Sequence, residues 1–355
     1  MLTQPAVAFL RKLLDTPGPS GFESAPAKVW RTEAAKFADV SADAVGNSYA
    51  VVNPKGSPTI MLAGHIDEIG LMVVHIDDDG YASVSGIGGW DVQVLIGQRV
   101  RFMGRAGEVI GVIGKKAIHL IKPDEREKAT KMTDLWVDIG AANKAEAVAR
   151  LQVGDPGVID ARTLDFPNNR IVSRSIDDRI GAFVVLEALR RYAAKPGKAR
   201  VMAVATTQEE IGYNGGGARV GAERADPQMA IVVDVTFATD HPGVEKKEHG
   251  DHKLGGGPVL TRGSVFSPVV YDLLRATCER LKIPYSVNAA PRGSNTDADA
   301  IQVARHGIAT ALVSVPNRYM HSPNVMVSLE DLDRAALLIA ETCRGVTTKT
   351  DFTAR

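Results

Sequence analysis

Two adjacent glutamates, Glu209 and Glu210, follow a short apolar run and could carry out chemistry in this chain. The run, residues 201–205, contains Val, Met and Ala without Gly or Pro, which predicts a buried strand. Neighbouring side chains at the end of a strand point to opposite sides. One glutamate could therefore bind a metal ion while the other transfers a proton. A solvated loop is the alternative, because only a minority of such pairs contain a carboxylate with a perturbed pKa or a catalytic role.

A histidine and an aspartate two positions apart, His65 and Asp67, follow a second apolar run at residues 58–63. Alternation along a strand places both side chains on one face. The histidine could bind a metal ion through one ring nitrogen while the aspartate accepts a hydrogen bond from the other nitrogen, which fixes the tautomer. A purely structural pair is the alternative, since this short pattern is weak on its own.

Two more segments place carboxylates beside predicted elements. Asp177 and Asp178 open an apolar helix predicted over residues 181–192, where a carboxylate could bridge two metal ions or act as a helix N-cap. Asp234 follows a strand predicted over residues 230–233. Ligands of open α/β sheets bind beyond the carboxyl ends of the strands, so we expect these carboxylates to lie in one crevice.

His321 follows a strand predicted over residues 308–315 and adds a second histidine to that crevice. Two histidines and three carboxylates, one of them bridging, satisfy a site for two zinc ions that leaves room for water. Glu209 would then remain as a free carboxylate, which is the usual position of a general base.

The elements around these residues change in character along the chain. The first part, with helices predicted over 6–14 and 26–37, is α/β in pattern. From about residue 69 to 167 short β-rich runs recur between turns, and the α/β pattern then returns. We therefore predict an α/β fold with a mixed sheet, a discontinuous catalytic domain formed by 1–68 and 168–355, and a small all-β domain inserted at 69–167.

The second half predicts three further helices, over 267–281, 299–305 and 329–344, the last opened by a capping box of Ser328 and Asp331. A shorter helix is predicted inside the β-rich segment, over 143–151.

The loop at residues 238–257 contains three histidines that resemble a metal cluster, His241, His249 and His252. Their glycine-rich, polar surroundings favour a solvated loop over a metal site.

The composition excludes several classes of protein. The 355 residues are 45% hydrophobic, and 42 Lys and Arg balance 42 Asp and Glu, so charge gives no argument for a nucleic-acid or membrane partner. No apolar run approaches the ~18 residues of a membrane span, and no signal peptide is evident. Two cysteines form no disulfide framework. We expect a cytoplasmic protein.

Eight motifs in order resemble those of the M42 family of dinuclear metallo-aminopeptidases, which includes the tetrahedral, glutamyl and deblocking aminopeptidases. The resemblance begins at PGPSGFE near residue 17 and reaches the last helix. The motifs are AGHIDEIGLMV, GGWDVQVLIGQRV, DIGA, VGDPG, SIDDRIGA, TQEEIGYNGG, VVDV and NRYMHSPNVM. The sequence departs from the family at residues 292–297, where the family has a Gly-Gly-Thr-Asp-like turn that contacts the residue being removed.

The resemblance implies an α/β/α zinc-exopeptidase-like domain that removes N-terminal residues from short peptides. It implies two divalent metal ions per chain, zinc or cobalt with manganese as a further possibility, and assembly into a dodecamer built from dimers through the inserted domain. It also implies Glu209 as the base and Asp67 behind His65. The implied metal ligands are His65, Asp177, Glu210, Asp234 and His321.

Three alternatives remain from the residues alone. A deacylase or amidohydrolase acting on small N-acyl amino acids would use the same ligands. A metal-bound scaffold would have no use for a free carboxylate such as Glu209. A glycanase could use two carboxylates as acid and base but would not require His65 and His321 beside them.

Overall fold

The structure is a computed structural model that describes residues 1–105, 107–212 and 215–353. Tyr213 and Asn214, in the motif TQEEIGYNGG, lie outside the described residues.

Helices occur in both halves of the chain, and the longest of them are in the second half. The α-helices are α1 (Gln4–Asp15), α2 (Ser24–Ala34), α3 (Lys144–Val148), α4 (Ile176–Ala194), α5 (Gly216–Ala225), α6 (Lys246–His249), α7 (Pro268–Leu281), α8 (Asp297–Ile301) and α9 (Leu329–Gly345). Short 3-10 helices are Val92–Leu95, Ile118–Leu120, Pro123–Glu125 and Met132–Asp134.

The strands form two sheets and a barrel. They are β1 (Asp39–Ala42), β2 (Ser48–Val52), β3 (Thr59–His65), β4 (Gly70–Ile76), β5 (Ala82–Ile87), β6 (Arg99–Gly104), β7 (Gly107–Gly114), β8 (Trp136–Asp138), β9 (Pro156–Ile159), β10 (Leu164–Phe166), β11 (Arg170–Ser173), β12 (Arg200–Thr206), β13 (Met229–Phe237), β14 (Val259–Gly263), β15 (Ser286–Ala290), β16 (Ala309–Asn317) and β17 (Val325–Ser328).

The main sheet has eight strands in the order β1-β2-β12-β3-β13-β16-β14-β15. Its four central strands, β12, β3, β13 and β16, run parallel, and the outer pairs on each side include antiparallel neighbours. The carboxyl ends of the four central strands therefore meet at one edge, and Thr206 of β12 lies opposite His65 of β3 there.

Both faces of this sheet are covered by helices. Ile60 and Leu62 of β3 pack on one face with apolar residues of α1, α4, α7 and α9. Met61 and Ala63 pack on the other face with residues of α5 and α8. A strand buried on both faces has no polar alternation, which explains the continuous apolar runs in the sequence. The predicted mixed-sheet α/β/α fold is confirmed.

Strands β4 to β9 close into a separate barrel in the order β4-β5-β8-β7-β6-β9. The barrel has its own core, which includes Leu71, Val100, Phe102 and Val137. None of its six strands pairs with the eight-stranded sheet. β10 lies within the range 69–167 but pairs with β11, which in turn pairs with β17. The last barrel strand thus ends at Ile159.

Several predicted boundaries differ from the observed ones. β13 continues through Asp234 to Phe237 because it pairs along its whole length with β16. The helix predicted at 143–151 shortens to α3, and the helix predicted at 299–305 is replaced by α8, which Thr296 caps.

The capping box predicted for α9 forms only in part. Ser328 caps the helix through the N–H of Glu330. The carboxylate of Asp331 instead accepts N–H groups of Gly255 and Gly257, at 2.7 and 2.8 Å.

Among the helices of the described residues, none is both long enough and apolar enough to cross a membrane.

Candidate metal centre and active site

The end of β3 places His65 and Asp67 in direct contact. His65 is buried, and its Nδ1 lies 3.3 Å from Oδ1 of Asp67. Asp67 is itself fixed by the hydroxyl of Ser20, which donates to Oδ2 at 2.6 Å. The carboxylate thus orients the imidazole so that Nε2 faces the crevice beyond the sheet.

Glu209 and Glu210 lie just after β12, and their side chains diverge. Oε2 of Glu209 lies 3.7 Å from Nε2 of His65, whereas Oε2 of Glu210 lies 3.4 Å from Nε2 of His321. The backbone N–H groups of both glutamates donate to the carboxylate of Asp67, at 3.3 and 3.1 Å. One buried aspartate therefore anchors the imidazole and the backbone of the pair.

Asp177 lies between the two histidines. Its Oδ1 is 3.3 Å from Nε2 of His65, and its Oδ2 is 3.4 Å from Nε2 of His321. The backbone at Asp177 is not helical although it opens α4, and the Asp177–Asp178 peptide bond is cis. Each of its two carboxylate oxygens faces a different histidine.

His321 follows β16 and contacts the barrel. Its Nδ1 lies 2.7 Å from the carbonyl oxygen of Gly89, in the loop between β5 and β6. A carbonyl oxygen only accepts, so Nδ1 carries the proton in this contact and Nε2 is the nitrogen available to a ligand. The barrel thus sets the tautomer of a histidine that the sheet positions.

Asp178 and Asp234 lie on the other side of His65. Ligand atoms of His65, Asp178 and Asp234 all lie within 4.8 Å of one another, as do those of His65, Asp177 and Glu210. Asp178 also accepts the N–H of Gly181 through Oδ1, at 3.0 Å. The structure brings every predicted ligand into one crevice and adds Asp178 to it.

The ionisation of these groups reflects burial and mutual contact. Burial opposes ionisation of Asp177, but hydrogen bonds from His321 and His65 lower its pKa to about 2. Burial raises the pKa of Glu209 to about 9; His65 opposes that shift, and the charge of Asp234 adds to it.

Burial likewise raises the pKa values of Asp178, Glu210 and Asp234 well above the usual range. Several buried carboxylates thus face one another with two imidazoles as their nearest cations.

This donor set fits divalent cations. Oε1 of Glu210 and Oδ2 of Asp178 are buried and have no hydrogen-bond partner among the residues that the structure describes. Buried carboxylates that lack protein partners are costly unless a cation compensates them. Imidazole and carboxylate ligands suit zinc and related divalent metals.

The crevice opens into a cleft of about 1120 Å³. Asp177, Glu209, Glu210, Asp234 and His321 lie at the inner end, and Arg219, Val303 and Arg305 line the outer part. A volume of this size is typical of a site for a small organic substrate.

Asp297, in the turn that the family resemblance relates to the substrate pocket, also lines this cleft and is buried. Its Oδ2 accepts the hydroxyl of Thr206, at the end of β12. Asp297 is the first residue of α8 and the last of the turn at 292–297, whose resemblance to part of the family's substrate pocket was the signal available in the sequence.

Two further charged residues from the strand-end motifs, Glu68 and Arg318, form ion pairs within the fold. Glu68 forms buried ion pairs with Arg174 and Arg179, both at 2.9 Å. Arg318 forms an ion pair with Asp240, also at 2.9 Å.

The histidines of the 238–257 loop do not come together with other ligands among the described residues. His252 is buried, contrary to the predicted solvated loop, because its Nδ1 contacts the hydroxyl of Ser286 at 2.8 Å.

The sequence model of the M42 glutamyl aminopeptidases matches residues 46–338, most of the chain. This chain belongs to the M42 family. The M42 chain is 35% identical to a lysyl aminopeptidase from Pyrococcus furiosus over 335 residues, which cover 93% of this chain and 94% of the relative.

Two solved structures share this M42 fold. A TET aminopeptidase from a marine sediment Thaumarchaeota archaeon superposes with a TM-score of 0.92 at 32% identity, covering 98% of each chain. The Pyrococcus horikoshii TET1 peptidase, which can assemble into a tetrahedron or a large octahedral shell, superposes with a TM-score of 0.84 at 29% identity, covering 96% of this chain and 100% of the other.

The predicted family resemblance is therefore confirmed. The protein is a metal-dependent aminopeptidase, a hydrolase that acts on peptide bonds. A deacylase is not favoured, since these relatives are named as aminopeptidases.

Proposed function

We propose that this aminopeptidase removes the N-terminal residue of short peptides at a dinuclear site bridged by Asp177, with Glu209 as the general base. One observation carries the proposal. The two oxygens of Asp177 face two different histidines, at 3.3 and 3.4 Å, so a single carboxylate spans two potential metal positions.

In this proposal each metal position takes one histidine, one further carboxylate and one oxygen of the bridge. His65 and Asp234 would complete one position, and His321 and Glu210 the other. Zinc or cobalt suits such mixed nitrogen and oxygen ligands best, and manganese is a third candidate. Asp178 lies close enough to assist the first position.

The bound ions would polarise the scissile carbonyl and lower the pKa of a bound water. Glu209 would accept the proton of the attacking water at Oε2 and later return it to the leaving amine. The acidic inner end of the cleft attracts the α-ammonium group of a peptide, which restricts cleavage to the first bond. Asp67 would hold His65 and the backbone of Glu209 in register during these steps.

Three broader features belong to the same proposal. We propose that 1–68 and 168–355 form the catalytic domain and that 69–167 is an inserted domain for self-association and pocket shaping. A dodecamer built from dimers is the proposed assembly, supported by the shell-forming relative. The cytoplasmic location inferred from the sequence stays a prediction.

Replacing Glu209 by glutamine tests the role of the base. Glutamine keeps the shape of the side chain but cannot accept a proton, so we expect kcat to fall roughly 10²–10⁴-fold. KM should change little. The metal content should also stay at about two ions per chain, the number that the proposal requires.

Measurements of turnover and of bound metal on the same samples check both expectations. Glu279→Gln is the matched control, because Glu279 is exposed on α7 and contacts Arg275. Near-normal turnover of Glu209→Gln would show that another group is the base.

The substrate class can be tested with paired substrates. An aminopeptidase that uses the α-ammonium group should cleave free aminoacyl substrates and fail on the same compounds after N-acetylation. We expect at least a 100-fold difference in kcat/KM, with zinc, cobalt or manganese added in turn. Equal hydrolysis of both forms would contradict the requirement for a free α-amino group, and release of acetate from the acetylated compounds would indicate the deacylase instead.

A further inference from the structure

Four successive backbone N–H groups after β12 are held by side chains from outside that loop. The acceptors come from three distant parts of the chain. The N–H of Thr207 donates to Oδ1 of Asn47 at 3.1 Å, and the N–H of Gln208 donates to Oε1 of Glu23 at 3.1 Å. The N–H groups of Glu209 and Glu210 donate to Oδ1 and Oδ2 of Asp67, at 3.3 and 3.1 Å.

Glu23 occupies an unusual place in this arrangement. It precedes α2 at the N-cap position, yet its side chain makes no cap hydrogen bond to that helix. Its Oε1 accepts the N–H of Gly21 at 2.7 Å and that of Gln208 at 3.1 Å. The residue is buried, 5% exposed, and does not line the cleft. Its contact with the active site therefore passes through the backbone.

Gln208 needs such support. Its φ is +62°, in the left-handed region that residues other than glycine rarely adopt. For a non-glycine residue this conformation is strained and persists only where surrounding contacts enforce it. Because Gln208 immediately precedes Glu209, its backbone conformation sets the direction in which the side chain of Glu209 points.

We propose that Glu23 is a positioning residue for the reaction: by accepting the N–H of Gln208 it holds that residue in the left-handed conformation and so aims the carboxylate of Glu209. This inference rests on the proposed role of Glu209 as base. A misplacement of about 1 Å at a reacting group can cost ~10²-fold in rate. Asp67 secures the two glutamates themselves, and Glu23 secures the residue at which the chain turns.

Glu23→Ala removes the acceptor, and Glu23→Gln retains an acceptor oxygen. We expect kcat of the alanine variant to fall about 10- to 100-fold with KM within about twofold of wild type, and the glutamine variant to recover most of the loss. Metal content should stay at the wild-type value in both. Glu33→Ala is the control, since Glu33 lies on the same helix and pairs with Lys36 and Arg190.

Gln208 provides a second test. Glycine adopts a positive φ without steric cost, so Gln208→Gly in the Glu23→Ala background should raise kcat several-fold above that of Glu23→Ala. Gln208→Ala in the same background removes the same side chain without easing the backbone and should not restore activity.

A readout independent of catalysis is hydrogen exchange of the metal-free protein, followed by mass spectrometry. The peptide spanning 207–210 should exchange faster in Glu23→Ala than in wild type or Glu33→Ala. Wild-type exchange and kcat in Glu23→Ala would overturn the proposal, as would equal losses in Glu23→Ala and Glu23→Gln. If Glu23→Ala does not fold, Glu23→Asp, whose shorter side chain withdraws the acceptor from the N–H of Gln208, takes its place in the same comparisons of kcat and exchange. If Glu209→Gln keeps its turnover, the base assignment fails while the exchange result still reports on the loop.

Discussion

At the scale of single residues, the two neighbouring carboxylates of the site, Glu209 and Glu210, contact different histidines. Glu209 faces His65, and Glu210 faces His321, although the same aspartate, Asp67, anchors both backbones. Identical side chains can therefore do different work, because the geometry at the end of the strand directs them to different partners.

Glu210→Gln should affect metal binding more than proton transfer. A neutral amide oxygen is a weaker ligand for a divalent cation than a carboxylate, so we expect the variant to bind about one ion per chain at limiting metal, given two in the wild type. Excess metal should restore part of the activity. Metal analysis after dialysis and a titration of activity with zinc or cobalt measure both effects.

Glu279→Gln again serves as the control for handling and folding. A Glu210 variant that retains both ions but is inactive would reverse the two roles, particularly if Glu209→Gln loses metal.

The sequence identified the candidate metal ligands but not the residues that hold them in position. His65, Glu210 and His321 are recognisable because each follows a strand and carries a metal-binding group. Asp178 was ambiguous because it adjoins Asp177 at a helix start. The contact of Glu23 with Gln208 spans 185 positions, and no local pattern encodes it.

At the scale of elements, Arg179 connects the start of α4 to the end of β3. This fully buried guanidinium donates to the carbonyl oxygens of Ile66, Leu13 and Gly18 at 3.0, 3.0 and 3.2 Å, and pairs with Glu68 at 2.9 Å. The element that carries Asp177 is thereby fixed to α1 and to the strand that carries His65.

Arg179→Met should destabilise the fold strongly. The substitution leaves Glu68 with one of its two buried cations and several carbonyl oxygens without donors. Breaking a buried pair in this way costs roughly 3–5 kcal/mol in the free energy of unfolding. Urea denaturation measures the change.

Arg275→Met provides the comparison, because an exposed ion pair such as the one on α7 contributes little to the free energy of unfolding. A similar small change for Arg179→Met would mean that the buried network does not stabilise the fold.

Element types followed from the sequence more readily than element ends. The apolar run at 201–205 predicted β12 because a doubly covered strand needs apolar side chains on both faces. The end of β13 was missed because Asp234 and Thr236 are polar and remain in the strand through pairing with β16. Closure of the barrel depends on the pairing of β4 with β9, which lies far beyond any local pattern.

At the scale of the whole molecule, the barrel presents apolar side chains to solvent. Ile110 and Val112 alternate along the outer face of β7, and Trp136 of β8 is partly exposed nearby in the ladder. Exposed apolar residues on one wall are typical of a contact surface. Together with the shell-forming relative, this supports the proposed assembly through the inserted domain.

Light scattering coupled to size exclusion should give a mass near that of twelve copies of the 37.9 kDa chain, about 455 kDa. The double substitution Ile110→Asp and Val112→Asp should lower this mass, because a charge in a buried contact is costly. Val287→Asp, at an equally exposed valine of β15, is the control. A monomer of wild-type protein at all working concentrations would contradict the proposal.

The closed barrel also bears on the order in which the chain folds. β3 can pair with its neighbour β12 only after the chain between His65 and Arg200 has been synthesised. Most of that intervening chain forms the barrel. Within the barrel, Leu71 pairs with Gly157, so its two ends lie side by side once it has closed. If the barrel closes first, its two ends are held together as by a cross-link. The flexible loop that must close when β3 pairs with β12 is then shorter by the length of the barrel. By the logarithmic dependence of closure entropy on loop length, this lowers the cost of that step by roughly 1 kcal/mol. On a ribosome the barrel also emerges before β12, so synthesis and chain entropy favour the same sequence of events.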